Sequence, residues 1–243
     1  MKKNAFENWL VEKKRLKPSS VRHYVGAINS LSRASGVDLF NTSDAQLIDE
    51  YYEQYGFKEK DATGNRMYIS GVKHFKEFLK EINVSNELII ESVNYEANVK
   101  HELNNIDSVP RLSYIPQSRP KYKKVSKQKI WERNPRLASE VIQAMNFRCE
   151  GNPVHDFFIS NRTKRNYVEA HHLIPMEYQD DFEYSLDVHA NIVSLCPVCH
   201  KKVHHGTFEE IIELVGNLYA ERKIQLQKSN INISFDELSS LYK

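Results

Sequence analysis

Every cysteine of this 243-residue chain, Cys149, Cys196 and Cys199, falls between positions 149 and 205, and so do seven of its ten histidines. Residues dispersed through an ordinary core would not concentrate in this way. The window is where the chemistry is, and its architecture depends on which side chains can reach a common centre. Three cysteines cannot pair evenly, so a disulfide framework is not the explanation.

Two elements carry most of the chemistry in the window. The first, Tyr167-Val168-Glu169-Ala170-His171-His172-Leu173-Ile174-Pro175, opens with β-forming residues and ends at a proline. That predicts a short strand running into a loop. Successive residues of a strand point to opposite faces. His171 and His172 are thereby split between two roles, one a metal ligand and the other turned toward substrate. In the second element, Asn191 to Leu195 reads as another strand. Cys196-x-x-Cys199 is the knuckle spacing by which two thiolates reach one zinc. His200 and His204 are four apart and share a helix face. Strand, loop, strand and helix, with histidines on the first and last pieces, is a ββα-metal layout.

The window resembles the HNH endonucleases, in particular their zinc-containing, restriction-type branch. The resemblance lies in Glu169-Ala170-His171-His172, then Asn191, then Cys196-x-x-Cys199-His200 and His204, in that order. It implies that His171 and His200 hold a catalytic divalent ion, Mg2+ or another, with His204 completing or supporting the site. His172 would be the general base toward the attacking water. Asn191 would fix the loop carrying His172, and Glu169 would orient neighbouring groups. A structural Zn2+ on Cys149, Cys196 and Cys199 is implied as well. Where relatives commonly carry a second Cys-x-x-Cys, this chain reads Cys149-Glu150-Gly151-Asn152, and His155 is the candidate fourth ligand. These assignments suit phosphodiester hydrolysis. An ion with open positions stabilises charge on the phosphoryl and leaving oxygens, and a neutral imidazole is a competent base near pH 7. His189 and His205 have no place in the motif and are expected at the surface. His23, His74 and His101 read as ordinary helix or loop residues.

The remainder of the chain is long enough for a second domain. Hydrophobic residues make up 40% and charged residues 27%, a globular composition. No apolar run approaches the roughly 20 residues that span a bilayer, and the first seven residues lack an apolar signal core. A cytoplasmic protein with no membrane partner is expected. Apolar spacing and turn residues predict four helices before position 83. The first carries Phe6, Trp9 and Leu10, the second opens at Pro18 and closes near Gly36, the third follows Thr42-Ser43-Asp44, and the fourth runs from Asp61 to Ile82. Trp9, Tyr24, Phe75 and Phe78 read as core of this bundle. The stretch resembles the SAM-like N-terminal DNA-binding domain of phage integrases, through Phe6-x-x-Trp9-Leu10, Lys17-Pro18-Ser19-Ser20-Val21-x-x-Tyr24 and Tyr68-x-x-x-Val72-x-x-Phe75-x-x-Phe78-Leu79. No recombinase catalytic set follows, so the resemblance implies a grip on DNA rather than recombination.

The net charge of +2 says little, but its distribution says more. From Arg119 to Arg136 there are eight basic residues against the single acid Glu132, which suits a polyanion. Lys121, Lys123, Lys124, Lys127 and Lys129 are the candidate phosphate contacts. Residues 84–126 read as a basic linker with a short helix near 85–105, and residues 127–146 as a helix interrupted early by Pro135. The expected fold class is α+β: a helical bundle over 1–83, the linker, and a ββα-metal (HNH) nuclease domain with a structural zinc over 127–243. The expected function is a metal-dependent endonuclease that cuts double-stranded DNA as a homodimer. Two rivals stand beside it: a nicking, homing or phage-packaging nuclease, and a zinc-stabilised DNA-binding module without catalysis.

Overall fold

The computed structural model describes residues 2–64, 66–103, 108–125 and 128–243. They form a mixed but mostly helical protein with two small antiparallel sheets, and the chain divides into two units, 1–89 and 90–243.

The first unit holds α1 (Lys2–Glu12), α2 (Pro18–Ser35), α3 (Ala45–Gln54), α4 (Phe57–Thr63) and the beginning of α5 (Met67–Glu102). Each start has a local cause. Pro18 occupies the first turn of α2, where its missing N–H costs nothing. Asp44 caps α3 by accepting the N–H groups of Gln46 and Leu47. Gly36 ends α2 at φ 74°, a conformation glycine adopts without strain. The apolar faces close on Phe6, Leu10, Ile28, Leu31, Ile48, Phe75 and Leu79, all fully buried. Trp9 and Phe78 are buried beside them, and Tyr24 packs half-buried against the same cluster.

The helix expected from Asp61 to Ile82 is divided. Asp61 belongs to α4, and its buried carboxylate accepts the N–H groups of Tyr68 and Ile69 at 3.0 and 2.6 Å. It thus caps the first turn of α5 instead of opening it, as an anion at a positive helix end should. The Tyr52 hydroxyl donates to the same carboxylate, and burial together with that charge pushes the phenol up to about 12.

α5 then continues to Glu102, through positions read from the sequence as linker. Its last turns belong to the second unit, where Val99 packs with Ala138, Ile142 and Val168. Residues 127–146 also differ from the single interrupted helix expected. Tyr122–Val125 (β1) and Gln128–Trp131 (β2) pair as antiparallel strands, with Tyr122 opposite Trp131. The helix α6 (Pro135–Ala144) starts at the proline, capped by the Asn134 side chain. Pro135 opens that helix because its place is the first turn.

The rest of the second unit is β3 (Glu169–His172), β4 (Ile192–Leu195), α7 (Pro197–His205), α8 (Phe208–Lys228) and α9 (Phe235–Ser240). β3 and β4 are antiparallel, with His171 opposite Val193 and His172 opposite Ile192. All four residues of β4 are buried, so the strand is covered on both faces and shows no polar alternation. Leu173, Ile174, Leu186, Val193, Val215 and Leu238 form the centre of this core. His189, expected at the surface, is buried. Its Nε2 lies 2.8 Å from Glu140 and its Nδ1 accepts from Ser113 N–H at 3.1 Å, tying α6 to the turn before β4. His205 is exposed. Among the described residues no helix is long and apolar enough to cross a membrane.

Candidate metal centres

Helix α7 serves two clusters. Its N-cap is Cys196, with Pro197 in the first turn and Cys199 three residues on from the cap, so both sulfurs emerge at the helix start. Cys149 is brought to them by backbone pairing: Glu150 N–H donates to Ser194 O, and Ser194 N–H donates to the Glu150 carboxylate, both at 2.7 Å. Arg222 of α8 pairs with the same carboxylate at 2.5 Å. His155 reaches in from the following loop, its Nδ1 3.5 Å from Cys196 Sγ and 3.3 Å from Cys199 Sγ. Donor atoms of Cys149, His155, Cys196 and Cys199 all lie within 4.8 Å of one another. The next residue along, Gly151, leaves no room for a side chain, since a Cβ there would stand 3.2 Å from Cys199 Sγ and 2.7 Å from Leu214. Burial and mutual proximity push the thiols of Cys196 and Cys199 up, so a dication is what would hold them as thiolates. Three thiolates and one imidazole in a closed set are a donor set for Zn2+, and this cluster could hold it.

The second cluster is built on the other side of the same helix. His200 and His204 stand one turn apart on α7, and His171 faces them from β3, with ring centroids 5.3 and 4.9 Å away. Their nitrogen donors also lie within 4.8 Å of one another, and His200 Nε2 is 3.2 Å from His204 Nε2. His171 Nε2 is buried without a hydrogen-bond partner among the described residues. Such an orphan costs about 1–3 kcal/mol unless something occupies it. Burial lowers His171 well below the ordinary imidazole range, with the neighbouring histidines adding to the effect, and lowers His204 to about 4. Three imidazoles with their donor nitrogens gathered in this way fit a divalent cation.

Strand alternation distributes the rest. Glu169, on the same face of β3 as His171, lies 2.5 Å from His200 Nδ1 and accepts the Tyr167 hydroxyl at 3.0 Å. Hydrogen bonding to His200 holds its carboxyl below the usual range. A carboxylate on the far nitrogen of an imidazole fixes the ring's direction and leaves Nε2 for a ligand. His172 points the other way, and its Nε2 lies 2.9 Å from Asp187 Oδ1. The second oxygen of Asp187 accepts Asn134 N–H at 2.5 Å. Asp187 was not singled out from the sequence, because nothing in the spacing of Ser185-Leu186-Asp187 announces its partner. Asn191, fully buried, clamps the chain just after His172. Its carboxamide accepts Ile174 N–H at 2.7 Å and donates to Ile174 O and Leu186 O at 2.9 Å.

His171, His172, His200 and His204 all line one cavity of about 480 Å3. The candidate phosphate contacts lie elsewhere. Lys121 and Lys124 are exposed on or beside β1, Lys123 pairs with Glu91 at 2.5 Å, and Lys129 pairs with Asp180 at 2.6 Å beneath the rings of Tyr122 and Trp131. Lys127 lies outside the described residues.

With this geometry in place, comparison with known proteins adds one relationship. The type IV methyl-directed restriction enzyme EcoKMcrA of Escherichia coli (strain K12) is 30% identical over 89 residues, 36% of this chain. The chain is similar to a restriction enzyme. The match spans 30% of that enzyme's length, so the likeness is to a part of it. No protein-family model matches the chain. No solved structure matches it either.

Proposed function

We propose that the chain is a metal-dependent DNA endonuclease of the HNH type with a restriction or defence role. The observation that carries this reading is the convergence of His171, His200 and His204 on a cavity whose wall also bears His172, backed by Asp187. Likeness to a methyl-directed restriction enzyme supports the same direction. The Cys149–His155–Cys196–Cys199 cluster alone would serve a zinc-stabilised binding module equally well. A binding module has no use for a second, imidazole-only cluster on a cavity, and that cluster favours the enzyme.

In this reading His171, His200 and His204 would hold a divalent cation, three imidazoles suiting a transition metal such as Ni2+ better than Mg2+, and Glu169 keeps the His200 ring in place. The cation supplies Lewis-acid stabilisation of charge on the phosphoryl and leaving 3′ oxygens. His172 takes the proton of the attacking water at Nδ1, because Asp187 accepts the hydrogen on Nε2 and fixes that tautomer. Water oxygen bonds to phosphorus as the P–O3′ bond breaks. Asn191 prevents the turn at Ile174 from shifting and so keeps His172 in register. The four cysteine-cluster residues hold α7, and with it His200 and His204, against β4. Exposed Lys121 and Lys124, with the helical first unit, grip duplex DNA through phosphates, which makes affinity fall with salt. Double-strand cutting needs two such centres, supplied by a homodimer.

The test is cleavage of plasmid DNA, methylated and unmethylated, by the purified chain in Mg2+, Mn2+, Co2+ or Ni2+, beside His172→Ala. Metal-dependent cutting by the wild type and its loss in the variant are expected. Tight DNA binding without cutting in any of these ions would transfer the protein to the binding-module class.

A further inference from the structure

The histidine cavity extends into a region that the hydrolytic chemistry leaves unused. There its wall is apolar and aromatic, from Val99, Ile142, Phe147, Tyr167 and Val168. Three further polar atoms on residues that line the cavity, Tyr95 Oη, Thr163 Oγ1 and Asn166 Oδ1, are buried and have no hydrogen-bond partner among the described residues. Each unsatisfied atom of this kind is costly until a partner meets it. Three on residues lining one cavity are a set of hydrogen-bonding groups that a partner could complete.

The set is chemically selective. Asn166 donates both amide hydrogens to carbonyls, of Phe147 at 3.1 Å and His155 at 3.2 Å, so its orientation is fixed and its buried Oδ1 is left as an acceptor with no partner among the described residues. An acceptor demands an N–H or O–H from its ligand, and a phosphate diester has none. Tyr95 and Thr163 hydroxyls can donate or accept. A flat aromatic ring with an amino or imino hydrogen beside acceptor atoms satisfies all three, while its faces lie against aromatic and aliphatic walls. Lys100, over the Tyr167 ring at 5.6 Å, and Arg133, over the Tyr95 ring at 4.0 Å, line the same cavity and suit the flanking backbone phosphates.

We propose that this cavity receives one nucleobase of the substrate DNA, rotated out of the duplex and held edge-on by Tyr95, Thr163 and Asn166 beside the phosphate to be cut. The inference rests on the nuclease reading of the histidine cluster. A base that leaves the stack costs a few kcal/mol, least where pairing is already weak, and its capture would make cutting depend on which base lies beside the scissile bond.

Saturation-transfer NMR on the full chain tests this, with each of the four deoxynucleoside 5′-monophosphates as probe and deoxyribose 5-phosphate as control. Expected is transfer to base protons for at least one nucleotide and none for the sugar phosphate. Affinity should fall about tenfold in Tyr95→Phe and in Thr163→Val, which remove one hydroxyl each and leave the fold intact, and vanish in Val99→Trp, which fills the space. Equal transfer to deoxyribose 5-phosphate, no base transfer at all, or binding indifferent to these variants overturns the proposal. Plasmid cleavage by the same preparations separates the two readings. Cutting without base binding removes the pocket and keeps the nuclease, whereas base binding without cutting does the reverse.

Discussion

Two clusters share helix α7 and differ in almost every property that matters. The cysteine cluster is a closed set of four donors, three of them buried thiols, and its members are bound into the backbone by Glu150, Ser194 and Arg222. The histidine cluster is three imidazoles on the lining of a cavity, with His204 exposed. A full tetrahedron leaves an ion nothing further to bind, whereas three ligands leave room for water or substrate. One helix therefore joins a site suited to holding the fold to a site suited to reacting. Donor count and access, more than donor location, separate the two.

That contrast can be broken at four points. The largest effect is expected for Cys196→Ser. Zinc at closed sites of this type is worth about 10–16 kcal/mol, so calorimetry should show the second unit's unfolding transition lost and the first unit's retained, with metal analysis showing zinc gone. His172→Ala should leave zinc content unchanged and cost far less stability than Cys196→Ser, the loss being that of the buried Asp187 contact, while cleavage drops about 10²–10⁴-fold. Equal loss of stability in both variants would erase the distinction. Glu169→Gln should sharpen it, since a carboxylate behind a metal-binding imidazole typically contributes about 10–100-fold in metal affinity. A titration of cleavage against Mn2+ should shift by that factor, with zinc retained.

The smallest effect concerns the scaffold alone. Burial would raise Glu140, but hydrogen bonds from Arg136 and His189 outweigh it and hold the carboxyl below its ordinary value. A depressed folded-state pKa gives stability that is present above the unfolded value and lost as pH falls through the folded one. Urea titration of Glu140→Gln should thus show a deficit of about 1 kcal/mol at pH 7. The deficit should shrink as pH falls below the ordinary glutamate value of about 4.3.

Much of the candidate site was readable because its ligands are set by local geometry. Four residues make a helical turn, which puts His200 over His204. Two make a strand repeat, which separates His171 from His172. Cys196-x-x-Cys199 folds on itself. Features that depend on residues distant in sequence were not readable. Asp187 meets His172 only after the loop between β3 and β4 has closed, and no spacing encodes that meeting. His189 looked like a spare surface histidine because its partner, Glu140, lies 49 residues away. Similarly, Asp61 sat in phase with the apolar stripe that follows it, and only packing against Tyr52 shows it to be a cap. Pro135 carried two meanings, an interruption or a beginning, and the strand before it decided for the latter.

The seating of α7 serves both clusters at once. Cys196 and Cys199 precede His200 and His204 on the same short helix, so whatever seats the sulfurs beside Cys149 and His155 also seats the imidazoles that face His171. Substitution at the sulfurs would therefore leave all three imidazoles in the chain and loosen the helix that carries two of them.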